Sequence, residues 1–141
     1  MAISPPFKLI SAIHVSLFRS SGGKRGSSLN GQDVVLLTTR GRKTGKQRSV
    51  PLMGFADGAD RIVIGSKGGT PEHPAWFLNL EADPNVTVEV GGERWRAKAV
   101  ITGDEERERL WTTIVAKAPQ FSGYANKTTR KIPVIRLVRV D

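Results

Sequence analysis

The sequence predicts an α+β fold: a barrel of about six mainly antiparallel strands, with helices on its flanks and a further helix at the N-terminus. Three observations carry that expectation. Short runs of β-branched and alternating residues follow one another through glycine and aspartate turns, as hairpins do. The helical patterns show no repeated strand–helix–strand rhythm, which a parallel sheet would require. The 141 residues suffice for one domain with a buried core, and no second domain is expected.

Composition narrows the chemistry before any motif is considered. Lys and Arg number 22 against 13 Asp and Glu, a net charge of +9, which favours an anionic partner: nucleic acid, a lipid surface or a phosphorylated small molecule. There is no cysteine, which excludes disulfides, thiolate catalysis and cysteine-held metal. His14 and His73 are far apart in sequence, so no metal centre is expected. No G-x-S-x-G elbow is present either. Any difficult chemistry therefore falls to a bound organic cofactor. No apolar run approaches the roughly 20 residues that span a bilayer, and the N-terminus lacks the features of a cleaved leader. The protein is accordingly expected in the cytoplasm.

In chain order, residues 6–19 (PFKLISAIHVSLFR) repeat Leu9, Ile10, Ile13 and Leu17 at helical spacing. This is an amphipathic helix suited to capping the core, packing on another subunit or lying at the inner face of the cell membrane. The Ser- and Gly-rich residues 20–31 read as a flexible linker. Residues 1–30 thus form an N-terminal helix and linker, and residues 31–141 form the barrel domain.

Residues 34–52 (VVLLTTRGRKTGKQRSVPL) read as a strand, a cationic loop and a second strand. The loop sets Arg40, Arg42, Lys43, Lys46 and Arg48 around two glycines with no acidic residue among them, a composition suited to a phosphate or a polyanionic tail. It is not a P-loop, because Gln47 stands where Ser or Thr is needed and the loop joins two strands. Pro51 denies its strand a donor and should mark an edge or bulge. Residues 56–60 (ADGAD) make a hairpin turn into the strand 61–66 (RIVIGS), completing an antiparallel meander. Lys67-Gly68-Gly69 follows directly and adds charge and a permissive backbone beside the third strand.

Residues 72–83 (EHPAWFLNLEAD) read as a helix with Pro74 in its first turn. Trp76 and Asn79 lie three apart on one face, a sensible surface against a flat heteroaromatic ring. NVTVEV at 85–90, Gly91-Gly92 and ERWRAKAVIT at 93–102 form the strongest hairpin. Arg94, Arg96 and Lys98 share its wet face, an ordinary solvated row. Thr102 to Glu105 (TGDE) has the form of a capping box for a helix that carries Trp111, Ile114, Val115 and Ala118 inward and stops at Pro119. Residues 121–124 read as an exposed aromatic loop, and 132–140 (IPVIRLVRV) as the closing strand.

With these motifs in place, the chain resembles the deazaflavin-dependent nitroreductase family, split β-barrel reductases that use coenzyme F420, an 8-hydroxy-5-deazaflavin. The resemblance spans about 34–133 and is carried by TTRGRKTGKQRSVPL (38–52), IGSKGG (64–69), PAWFLNLEADPNVTV (74–88) and RKIPV (130–134). It implies that Arg42, Lys43 and Arg48 bind the coenzyme's phosphate and oligoglutamate side. It also implies that Val50, Pro51, Ser66 and Lys67 lie beside the ring, and that Trp76 and Asn79 help form the pocket. The implied reaction is hydride transfer to an electron-poor acceptor such as a quinone, an activated alkene or a nitro compound. Relatives carry tyrosines near the substrate in the segment matching 118–124, where only Tyr124 keeps a phenol here. Tyr124, Ser66 or water is therefore the expected proton source. Two alternatives stay open from the residues: an FMN-binding split barrel, and a non-catalytic basic module that binds nucleic acid, for which aromatic interleaving is poor. The expected partner is a small-molecule acceptor and not nucleic acid. Oligomeric state is not legible.

Overall fold

The structure, a computed structural model, describes residues 28–29 and 32–140; the expected helix at 6–19 lies outside them. Its strands are β1 (Ser28–Leu29), β2 (Gln32–Arg40), β3 (Gln47–Asp57), β4 (Asp60–Ile64), β5 (Asn85–Val90), β6 (Glu93–Ile101) and β7 (Val134–Arg139). The sheet order is β1-β2-β3-β4-β7-β6-β5, and β2 also pairs with β5. Strands β2 to β7 therefore close a six-stranded barrel in which every pairing is antiparallel. Helices α1 (Ala75–Ala82), α2 (Asp104–Lys117) and α3 (Gln120–Asn126) flank it, and a 3-10 turn spans Lys67–Gly69.

Two apolar clusters hold these parts. The barrel interior gathers Val35, Leu37, Val63, Val88, Trp95, Ile135 and Leu137, closed by Trp76, Phe77 and Leu80 of α1. A second cluster lies where Phe55, Ile62, Ile64 and Val134 meet Leu110, Ile114 and Ala118 from α2 and its end, and Phe121 of α3. Burying each large side chain contributes about 1.5–3 kcal/mol, so both helix faces are fixed by packing more than by propensity.

Several local expectations are corrected. Helix α1 starts at Ala75 with Pro74 as its N-cap, not at Glu72. The capping box does not form: Gly103 is the N-cap of α2, without a side-chain cap bond, and the Thr102 hydroxyl donates instead to the Val134 carbonyl at 2.9 Å. Residues 121–124 are helical, not an exposed loop. Phe121 is buried and meets Phe55 and Tyr124 edge-on, with ring centroids 6.1 and 5.5 Å away. Trp111 and Val115 are only half-buried, and Trp111 instead carries the Arg107 guanidinium over its ring.

One ion cluster ties the β3–β4 turn to α2 and β7. Arg136 donates to Asp57 at 2.5 Å, Asp60 at 3.1 Å and Glu106 at 2.8 Å. The hydrogen bond from Arg136 holds the Asp57 carboxyl below its ordinary pKa, and those carboxylates in turn raise the guanidinium's. A depressed folded-state pKa contributes stability above the unfolded value, about 3.9, and loses it as pH falls through the folded value. Arg136→Met should therefore lower Tm at neutral pH, and the gap from wild type should narrow as the buffer is acidified below about pH 4. Thermal unfolding of both proteins across pH checks this; a gap independent of pH would refute it.

Candidate functional site

The barrel is open along one half of β3. From Gln47 to Gly54 that strand pairs with β2, whereas β4 pairs with it only from Phe55 to Asp57. The two-residue Gly58-Ala59 turn sets the ladder parity. Odd-numbered residues of β3 present their backbone groups toward β4, so the missing N–H of Pro51 falls on the unpaired side, where it costs no ladder bond. Extending the Phe55↔Ile62 register would set Ile64 opposite Met53 and Ser66 opposite Pro51. Pairing ends before that, which leaves room for a cleft between the two unpaired edges. One wall is the open edge of β3 with half-buried Val50, Pro51, Leu52 and Met53. The other is the chain leaving β4 at Gly65, Ser66 and Lys67.

At one end of this wall stands the basic loop. It closes on itself through bonds from the Gly41 amide to the Lys46 carbonyl and from the Gly45 amide to the Gly41 carbonyl, both 2.8 Å. Asn79 pins it to α1. The Asn79 side chain, 4% exposed, accepts from the Arg42 backbone N–H at 3.1 Å and from Arg42 Nη1 at 3.2 Å. Its amide nitrogen donates to Thr39 Oγ1 at 3.2 Å. Arg40, Arg42, Lys43, Lys46 and Arg48 are all exposed, and among the described residues none of them pairs with a carboxylate. A cluster of cations without carboxylate partners on a hydrogen-bonded loop is suited to receiving an anion.

The opposite wall is unusually constrained. A Cβ on Gly65 would lie 2.8 Å from the Pro133 ring. Ser66 is buried, and Lys67 has a φ of 46°, the left-handed region a lysine rarely enters. Lys67 pairs with Glu72 at 3.3 Å. Gly69 lets α3 approach so closely that a Cβ there would lie 2.5 Å from the Tyr124 carbonyl oxygen. That contact brings Tyr124 beside the Ser66–Lys67 turn. Its ring packs on the second cluster, as does Met53 from β3, and its phenol has no hydrogen-bond partner among the described residues.

On the extended register Val50 and Pro51 lie opposite Lys67 and Ser66, with Arg42, Lys43 and Arg48 at the loop beside β3 and Tyr124 next to Gly69. Trp76 and Asn79 sit behind the loop, Trp76 only 8% exposed in the barrel core and Asn79 with both ends of its amide engaged. Sequence reasoning assigned nothing to Arg130 or His73, although RKIPV was among the carriers of the resemblance. Arg130 reaches carbonyls 60 to 65 residues away, a relation that no local pattern encodes.

Comparison with known proteins agrees with the barrel fold. The model of a family described as F420H(2)-dependent quinone reductase matches residues 10–139. The chain is 35% identical over 131 residues to the F420H(2)-dependent quinone reductase Rv1261c of Mycobacterium tuberculosis, covering 90% of this chain and 88% of that one. Among solved structures, an F420-H2 dependent reductase (FDR-A) superposes with a TM-score of 0.69 at 40% identity, covering 74% of this chain and 92% of the other. Another, described as a domain-swapped dimer, gives 0.71 at 34% identity over 94% and 98%.

Proposed function

Because the chain belongs to the F420H(2)-dependent quinone reductase family, we propose that the cleft between β3 and the Ser66–Lys67 turn is its coenzyme and acceptor site. The protein is an F420H2-dependent oxidoreductase. The observation that carries the site assignment is the exposed cation cluster, unpaired with any carboxylate among the described residues, standing beside the stretch of β3 that β4 leaves unpaired.

The residues present fit the coenzyme. A phosphate and several carboxylates need guanidinium and ammonium partners, which Arg42, Lys43 and Arg48 supply. A flat tricyclic ring needs an apolar shelf with polar backbone at its edge. Val50 and Leu52, on one face of β3, offer the first, and the unpaired edge of β3 at Pro51 and its neighbours offers the second. When bound, the reduced coenzyme supplies a hydride. Ser66 and Lys67 bound the ring from the opposite wall. Asn79 and Trp76 act from behind: Asn79 fixes the backbone of Arg42, and Trp76 fills the core on which α1 rests.

The acceptor class we propose is a quinone, with activated alkenes and nitro compounds as further candidates. Its reduction needs a proton, and Tyr124 Oη is the side-chain donor we assign, with Ser66 Oγ next. Tyr124→Phe is expected to lower kcat about tenfold or more while leaving coenzyme affinity unchanged, since general acids contribute 10²–10⁴-fold when they act alone. Unchanged turnover at saturating coenzyme would remove Tyr124 from the mechanism. The reading as a whole is tested by mixing the protein with F420H2 and following its oxidation against quinones, enones and nitroaromatics. Failure to bind the coenzyme would overturn the site. The relatives favour the deazaflavin over FMN. Salt-sensitive DNA binding without coenzyme affinity would be the mark of the nucleic-acid alternative.

Among the described residues no helix is long and apolar enough to cross a membrane. For residues 6–19 we propose contact with a membrane surface, tested by liposome co-sedimentation of the full chain against a variant lacking residues 1–30.

A further inference from the structure

We propose that Arg130, partnered by His73, is a positioning residue that holds the backbone of residues 65–70 in the shape coenzyme binding needs. This rests on the site assignment above. The guanidinium donates from Nη2 to the Ser66 carbonyl at 2.7 Å, from Nη1 to the Gly65 carbonyl at 3.1 Å and from Nε to the Thr70 carbonyl at 2.9 Å. Its Nη1 also lies 3.0 Å from His73 Nδ1. With Arg130 donating, Nδ1 is the acceptor and the neutral ring carries its proton on Nε2.

Among the described residues Arg130 pairs with no carboxylate. A cation whose donors go to three backbone carbonyls and an imidazole is fixing a shape, not neutralising a charge. Burial lowers its pKa, while its donors stay paired with the carbonyls of Gly65, Ser66 and Thr70. The segment it grips needs an outside hold, because Lys67 takes a positive φ that a lysine does not adopt unaided. Only a planar fork reaches carbonyls on both sides of that residue; a lysine ammonium is a single point.

The other end of the clamp is α1. The His73 ring lies 4.7 Å from the Phe77 ring, and Phe77 is buried in the same helix that carries Asn79. Asn79 holds the basic loop, and His73 with Arg130 holds the Ser66–Lys67 turn. One short helix therefore anchors both the basic loop and, through His73, the Ser66–Lys67 turn, which keeps the proposed phosphate and ring sites at a fixed separation.

The test uses the full chain with Arg130→Ala, Arg130→Lys and His73→Phe, the last keeping the stack on Phe77 while deleting the acceptor. Titration with oxidised F420 should show Kd raised about tenfold in both Arg130 variants, which lose the fork that holds three carbonyls, and about threefold in His73→Phe, which loses a single contact. Added guanidinium should recover much of the affinity of Arg130→Ala, and the same concentration of sodium chloride should not. In the coenzyme-free proteins, amide exchange at Gly69 and Thr70 should accelerate, since their N–H groups bond within this turn, to Ser66 and Lys67. A Kd within twofold of wild type in a folded Arg130 variant, full function in Arg130→Lys, or unchanged exchange would each overturn the proposal. If Arg130→Ala does not fold, Arg130→Lys and His73→Phe decide by the same readings. Wild-type protein that fails to bind F420 would overturn the site assignment instead, and the exchange measurement would still judge the clamp.

Discussion

Replacing Arg42, Lys43 and Arg48 together by glutamine is expected to raise the dissociation constant for F420 about a hundredfold and to flatten its dependence on salt. The size follows from exposure. All three side chains stand in water, so each cation's pairing with a phosphate or carboxylate contributes about 1 kcal/mol, not the larger value of a desolvated pair. Three such contacts sum to about 3 kcal/mol, or two orders of magnitude in Kd. Arg40 and Lys46 are the control pair: their neutralisation should change Kd by less than about threefold if they are surface charge. Asn79→Leu supplies a second contrast. It deletes the acceptor that holds Arg42 in place without removing a cation, so affinity should fall while the salt slope persists. Titrations at low and high salt separate the cases, and an unchanged Kd in the triple variant would dismiss the loop as the anion site.

How much of this was legible in the sequence follows from the range of each contact. The meander β2-β3-β4 and the β5–β6 hairpin were readable because alternation and turn chemistry act within a few residues. Val50, Pro51, Ser66 and Lys67 were named only through the family resemblance, because local pattern marks no more than a strand interrupted at Pro51 and a Lys-Gly-Gly turn after β4. The barrel was expected, but the pairings that close it were not legible, since β2–β5 pairing and the insertion of β7 between β4 and β6 join distant segments. Helix α3 was missed because Pro119, Ser122 and Gly123 suit a loop locally, while burial of Phe121 against Phe55 overrides that preference. Thr102 shows the reverse failure. The capping pattern is present, yet the hydroxyl is taken by the Val134 carbonyl, a partner 32 residues away. Asn79 is the most instructive. Its spacing from Trp76 suggested a ligand surface, but its amide is satisfied by Thr39 and Arg42, 40 and 37 residues earlier.

Gly69→Ala is expected to destabilise the protein by about 3 kcal/mol, lowering Tm by about 10 °C, and to weaken F420 binding as well. Two costs combine there. Gly69 has a φ of 82°, which alone costs an alanine about 1 kcal/mol or more. The added Cβ would also stand 2.5 Å from the Tyr124 carbonyl oxygen and 3.0 Å from its Cα, helix backbone that yields only if α3 moves. Gly68 is a matched control in the same turn. Its φ is 65°, but a Cβ there meets nothing within 4 Å, so Gly68→Ala should show the backbone cost alone. The difference between the two variants isolates the close approach of α3 to the Ser66–Lys67 turn, the contact that delivers Tyr124 to the cleft. If α3 retreats, the second cluster loses part of its packing around Phe121 and the phenol proposed as proton donor moves with it. Turnover in Gly69→Ala should then fall further than coenzyme affinity does, whereas in Gly68→Ala both should stay near wild type. Equal losses in the two alanine variants would mean that the helix does not depend on this glycine for its place.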